Sequence, residues 1–197
     1  MILAGLDIGQ VVDYMALILI GVQDVRPPTY VVRFVYRWPL QLSNAVMMAD
    51  IKRILVNIKD TIYLNVDYTG KGAVFGEFME RSFQSPPRLT NVITDYSVFT
   101  KAMKENLVSN TKLLLGEKRL LFPKPTTGTY KEMLDLLFEE LCNYQVRIYE
   151  SAVRGKPTSE LGALGYGKHD DLATALFLAL EDAEYTQASG QMYWIRR

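Results

Sequence analysis

Residues 167–180 read GKHDDLATALFLAL, with the only histidine of the chain, His169, directly before two adjacent carboxylates, Asp170 and Asp171. A long apolar helical pattern follows at once. Taken alone, the pair has an ordinary explanation. Asp170 is a good helix N-cap, and Asp171 in the first turn faces the positive end of the helix dipole. A second role opens if other carboxylates are placed to meet them, and two are. Asp7 follows the apolar run ILAGL, and Asp67 follows TIYLNV, each at the end of a segment with strand character. If those strands are adjacent and parallel, their C-terminal ends lie side by side, and a helix starting at that edge completes the group.

Like charges at close range oppose one another's ionisation unless a counter-charge is present. Divalent cations supply one. Mg²⁺ takes carboxylate and water oxygens, usually from only a few protein groups. Two such ions about 4 Å apart suit the hydrolysis of a phosphodiester. Each piece also has a plain reading: Asp7 and Asp67 fit turns, and His169 fits a structural hydrogen-bonder. Their joint order, strand-end Asp, strand-end Asp, helix-start Asp pair, is what favours a metal site.

The rest of the chain supplies a frame for that order. Residues 2–8, 14–22 and 29–37 read as three successive strands, broken by Gly9 and by Pro27–Pro28, which suggests an antiparallel meander. Ser43 caps an expected helix through Asn57, with Ala45, Met48, Ile51, Ile54 and Leu55 on one face. A strand at 61–67, a glycine-weakened helix over GKGAVFGEFMERSF and a strand at 88–94 follow. Beyond them come a helix from about Tyr96 or Ser97 to Leu115, a short extended piece at 120–122, a helix at 128–143 and a strand at 145–150. A last helix runs from the acidic pair to about Tyr185. A meander followed by alternating helices and strands implies an α/β mixed sheet with helices packed on it.

Composition narrows the class. At 197 residues with 49% hydrophobic and 22% charged side chains, the chain is expected to be a single soluble globular domain over 1–197. Twenty-two basic residues balance 22 acidic ones, so net charge neither demands nor excludes nucleic acid. A lone Cys142 rules out internal disulfides and multi-cysteine zinc sites, and in LLFEELCNY it is expected to be buried. MILAGLDIG lacks the basic flank of a signal peptide. The apolar runs fall short of the roughly 20 residues that span a bilayer. GxxxxGK[ST] is absent, so no Walker-type ATPase is expected.

The order of motifs resembles the ribonuclease H-like nuclease fold, and more narrowly the nuclease domain of the large terminase subunit of tailed phages. GLDIGQVVDYMALILIG is similar to that family's first hairpin, NVDYTGKG to its second catalytic strand end, and GKHDDLATALFLAL to its closing helix. The resemblance implies a ribonuclease H-like mixed sheet, an antiparallel three-strand meander plus parallel strands, flanked by helices. It also implies an endonuclease that uses two Mg²⁺ or Mn²⁺ ions to cut double-stranded DNA during viral genome packaging. Asp7 and Asp67 would be metal ligands, the third ligand would come from Asp170 or Asp171, and His169 would stand beside the ions. Asp13 reads as structural. The implied partners are double-stranded DNA, a terminase ATPase motor in the same or another chain, the small terminase subunit and the portal, in the host cell cytoplasm and without a membrane.

DNA contact is expected from Lys and Arg on phosphates. The densest basic stretch runs from Lys101 to Lys131 and includes Lys104, Lys112, Lys118, Arg119 and Lys124; Arg154 and Lys156 form a second patch. A solvated helix face is an equally good account of the first. Two other functions stay open at the level of sequence. One is a Holliday-junction resolvase or transposase-like nuclease of the same fold, and the other is a non-catalytic module that binds a partner protein.

Overall fold

A computed structural model describes residues 1–9, 13–69, 72–125, 127–149, 158–163 and 169–183. The meander is there: β1 (Ile2–Asp7), β2 (Ala16–Gln23) and β3 (Thr29–Arg37) pair antiparallel in succession. Helix α1 (Asn44–Leu55) follows, its first turn capped by Ser43, whose hydroxyl accepts from the Val46 N–H at 3.3 Å. The chain continues through β4 (Ile62–Asp67), α2 (Gly72–Gln84), β5 (Val92–Ser97), α3 (Lys101–Gly116), β6 (Leu120–Leu121) and α4 (Thr129–Asn143). It then forms β7 (Tyr144–Tyr149), β8 (Thr158–Ala163), α5 (Asp171–Ala179) and a 3-10 turn, Glu181–Ala183.

Six strands make one mixed sheet in the order β5-β4-β1-β2-β3-β6. β4 lies parallel to β1 and β5 parallel to β4, so both expected acidic strand ends emerge on one edge. This is the α/β ribonuclease H-like arrangement expected from the sequence, an antiparallel meander extended by parallel strands and flanked by helices. β7 and β8 form a separate two-stranded sheet. β8 has no counterpart in the sequence reading, because TSELGA lacks an apolar alternation.

The helices cover both faces of the large sheet. One face packs Leu6, Leu17, Leu19 and Leu64 against Met48, Ile51 and Leu55 of α1 and Phe75 and Met79 of α2. The other packs Leu3, Ile18, Ile20 and Val32 against Leu134 and Leu137 of α4 and Leu172, Ala175, Leu176 and Ala179 of α5. α5 is buried on every side, with α3 closing over Ala173 and Phe177. Each fully buried Leu or Phe contributes about 1.5–3 kcal/mol, which makes α5 the best-anchored helix.

Its approach to the sheet depends on one residue. A Cβ on Gly5 would stand 2.0 Å from the Ala175 carbonyl oxygen and 2.5 Å from the Ala179 nitrogen. Glycine at that position lets the α5 backbone rest on β1, two residues before Asp7.

Three features differ from the sequence expectation. β5 starts at Val92, after a turn at residues 90–91, rather than at Arg88. α5 ends at Ala179, where Asn65 and Asn110 donate to the carbonyls of Leu178 and Leu180 and Tyr30 donates to that of Ala183. Cys142 is exposed, because Leu134, Leu137 and Glu140 define the inward face of α4. No described helix is long and apolar enough to cross a membrane.

Candidate metal centre

The register that pairs Leu6 with Val66 sets Asp7 and Asp67, one step further on, at neighbouring parallel strand ends. Asp67 also keeps its turn role: its Oδ1 accepts from the Thr69 N–H at 2.8 Å. The second oxygen and remaining lone pairs stay available. Asp170 and Asp171 open α5 above this edge. The four carboxylates share one field. Asp7 is held well above its ordinary value by burial first, then by Asp171, Asp67 and Asp170, while Lys104 pulls the other way.

The two adjacent aspartates are not equivalent. Asp170 occupies the N-cap position but makes no side-chain cap bond; its Oδ2 accepts from the Ala163 N–H of β8 at 3.3 Å. That oxygen would lie 2.8 Å from a Cβ at Gly162, so the glycine keeps room for it. Asp171 is buried, and among the described residues its Oδ2 has no hydrogen-bond partner. Burial raises its pKa to about 7, reinforced by Glu140 and Asp170, opposed by Arg37 and raised further by Asp13. His169 Nδ1 stands 3.6 Å from the same oxygen.

Asp13, read as structural from the sequence, stands with Asp171 and His169. Although exposed, it offers a carboxylate oxygen within 4.8 Å of ligand atoms of His169 and Asp171. A buried polar oxygen almost always has a partner, so the orphaned Asp171 Oδ2 is the feature that a cation would complete. Carboxylate oxygens with one imidazole at the rim suit Mg²⁺ or Mn²⁺. The residues fit the ions that the resemblance implied.

Behind the carboxylates stands a set of side chains that the sequence reading missed. Glu140 of α4 is buried, and its Oε2 accepts from the N–H groups of Leu172 at 2.7 Å and Ala173 at 3.0 Å. Its Oε1 pairs with Arg37 Nη1 at 3.0 Å. Burial raises its pKa, against the pull of the Ala173 N–H, Arg37 and the Leu172 N–H. The Arg37 guanidinium lies over the Tyr14 ring at 4.2 Å, and Tyr14 meets His169 edge-on at 4.8 Å. The one available signal was Glu140 in line with Leu134 and Leu137, a charge on an apolar helical stripe.

The basic residues separate into two ends. β6 pairs with β3 at Tyr30 and Val31, the end of the sheet where Ile2 lies. Five residues of strand, roughly 17 Å, separate that end from Asp7. Arg119 is there, buried, with Nε on the Pro28 carbonyl at 2.9 Å and Nη1 on Glu117 at 2.8 Å. It is a structural residue rather than the DNA contact expected of it. Lys118, at the same end, and Lys112 and Lys124 are exposed. Lys112 lies two turns of α3, about 12 Å, beyond Lys104. The half-buried Lys104, which acts on Asp7, and Lys101 in the same first turn are the α3 cations at the acidic end. Arg154 and Lys156 lie outside the described residues.

No protein-family model matches the sequence, and no curated protein matches it. Solved structures do. The large terminase of a thermophilic bacteriophage is 14% identical with a TM-score of 0.61, covering 90% of this chain and 38% of its own length. The nuclease domain of the large terminase of bacteriophage SPP1, solved with bound Mn, is 12% identical with a TM-score of 0.53, covering 92% of this chain and 86% of that domain. A variant nuclease domain of the large terminase subunit of bacterial virus Sf6, solved with manganese and beta-thujaplicinol, is 16% identical with a TM-score of 0.59, covering 91% of this chain and 87% of that one. This chain thus spans well under half of a full large terminase but most of each nuclease domain. It has the ribonuclease H-like fold, in the form that fold takes in the nuclease domains of phage large terminases.

Proposed function

We propose that the chain is a divalent-metal-dependent endonuclease that hydrolyses phosphodiester bonds of double-stranded DNA, as in viral genome packaging. The observations that carry this reading are the electrostatic field that Asp7 shares with Asp67, Asp170 and Asp171 and the buried Asp171 oxygen with no hydrogen-bond partner among the described residues. Asp7 and Asp67 would hold two Mg²⁺ or Mn²⁺ ions from the strand ends, and Asp171 would face them from the helix. Asp170, tied to Ala163 by one oxygen, has the other free to assist. His169 and Asp13 would close the outer side. When bound, the two ions supply Lewis acidity to the scissile phosphate and stabilise both the attacking and the leaving oxygen.

The chain's own part is positioning and exclusion. Two parallel strands and a buried helix fix the carboxylates on rigid elements, and Lys104 and Lys101 meet the phosphates that flank the cut. In packaging, the motor, small subunit and portal would bring viral DNA to this site in the host cytoplasm.

Incubation with supercoiled plasmid and Mn²⁺ tests the reading. The intact chain should give nicked and linear DNA, and Asp67→Asn should reduce cutting at least 100-fold. Undiminished cutting by that variant removes Asp67 from the site. Preferred cutting of four-way junctions over plain duplex would point to a resolvase instead.

A further inference from the structure

We propose that Glu140 is the positioning residue of the acidic site: by taking the N–H groups at the start of α5, it leaves Asp170 and Asp171 free to face the ions. The inference rests on the nuclease reading above and adds a residue to it. A helix begins with N–H groups that lack intrahelical partners, and the N-cap side chain normally accepts from the second or third of them. In α5 those positions are Leu172 and Ala173, and the N-cap is Asp170. With no other acceptor present, Asp170 would fold back onto them, and its carboxylate would be spent within its own helix.

Glu140 occupies that place instead. Its Oε2 takes both N–H groups, at 2.7 and 3.0 Å, from a helix that lies across α5 rather than from the chain just before it. Asp170 is thereby released toward β8, and Asp171 keeps an oxygen with no hydrogen-bond partner among the described residues. The remaining oxygen of Glu140 holds Arg37, which lies over Tyr14, whose ring meets His169 beside Asp171. The capping of α5 and the placement of the imidazole therefore run through one carboxylate. Arg37 is its counter-charge, so both belong to a single device.

Partners that orient metal ligands typically change metal affinity about 10–100-fold when removed. The test is Mn²⁺ calorimetry on the intact chain, Glu140→Gln, Arg37→Gln and Asn110→Ala, with thermal unfolding of each in chelator. Asn110 bonds to the carbonyl of Leu180 just past the other end of α5, so its variant reports damage to the helix without damage to its start. Glu140→Gln should bind Mn²⁺ at least 10-fold more weakly and recover most of its plasmid cutting at saturating Mn²⁺. Arg37→Gln should show a smaller loss, and Asn110→Ala should bind Mn²⁺ like the intact chain.

Unchanged Mn²⁺ affinity in Glu140→Gln overturns the inference. If that variant does not fold, unchanged affinity in Arg37→Gln overturns it equally. An Asn110→Ala loss as large as that of Glu140→Gln reduces Glu140 to general support of α5 and also overturns it. If the intact chain binds no Mn²⁺, the nuclease reading falls and takes this one with it.

Discussion

At neutral pH, a carboxyl as buried as Asp171 and surrounded by other carboxylates holds its proton far above the usual range, here to about 7. The direction of the linkage follows. In the unfolded chain Asp171 loses its proton near the ordinary 3.8; in the folded chain it does so near 7. Below the lower value the group contributes nothing. As pH rises from about 4 to about 7, the unfolded state releases its proton first, and the metal-free fold loses stability. A cation competes with the same proton, so metal affinity should rise with pH. Two outcomes are expected in thermal unfolding. Mn²⁺ should raise Tm more at pH 8 than at pH 6. Asp171→Asn should raise the Tm of the metal-free protein at pH 8 by about 2–4 °C per kcal/mol relieved, and it should abolish the Mn²⁺ response. A variant that is less stable at pH 8 yet still responds to Mn²⁺ would contradict a strained, metal-binding Asp171. The places of Asp7 and Asp67 at strand ends and of the acidic pair at a helix start were legible in sequence because each ends or opens an apolar run. Glu140 and Arg37 were not, since each looks like one more charge on an amphipathic element and acquires its role only when α4, α5 and β3 meet.

Among the elements, α5 and β1 form the joint that brings helix-borne and strand-borne carboxylates together. Gly5 sets the spacing of that joint, because a methyl group there would overlap the α5 backbone at Ala175 and Ala179. Overpacking costs about 1–3 kcal/mol when side chains can yield, and backbone yields less readily. Gly5→Ala should therefore lower stability in urea by at least that amount and weaken Mn²⁺ binding as well. Normal stability with normal Mn²⁺ affinity would show that the joint is looser than described. The three strands of the meander and helices α1, α2 and α4 were readable from periodicity and breakers to within a few residues. α3 was placed too early because its cap is Thr100, whose hydroxyl accepts from the Met103 N–H, rather than Ser97, which lies in β5 with its hydroxyl on Glu181. β8 escaped altogether: its pairing with β7 is a long-range choice that its own residues do not announce.

Over the whole molecule, zero net charge conceals an uneven arrangement. Carboxylates crowd one end of the sheet with Lys104 beside them, while Lys118 and the buried Arg119 sit at the other end. Sequence density alone joined these cations into one patch; the course of α3 from the acidic end to the far end separates them. Lys104→Gln should weaken duplex binding and reduce its salt dependence by about one phosphate contact, with little change in Tm. Arg119→Gln should do the reverse, lowering stability by about 1–3 kcal/mol through the polar groups it abandons and leaving DNA affinity intact. Equal effects of the two on binding would restore the single patch. The proposed chemistry depends on a cation among the carboxylates. Anomalous diffraction from a crystal soaked in Mn²⁺ measures that directly. Density bounded by Asp7, Asp67 and Asp171 is expected, and its absence there while Mn²⁺ binds elsewhere on the chain would contradict a metal centre at this edge.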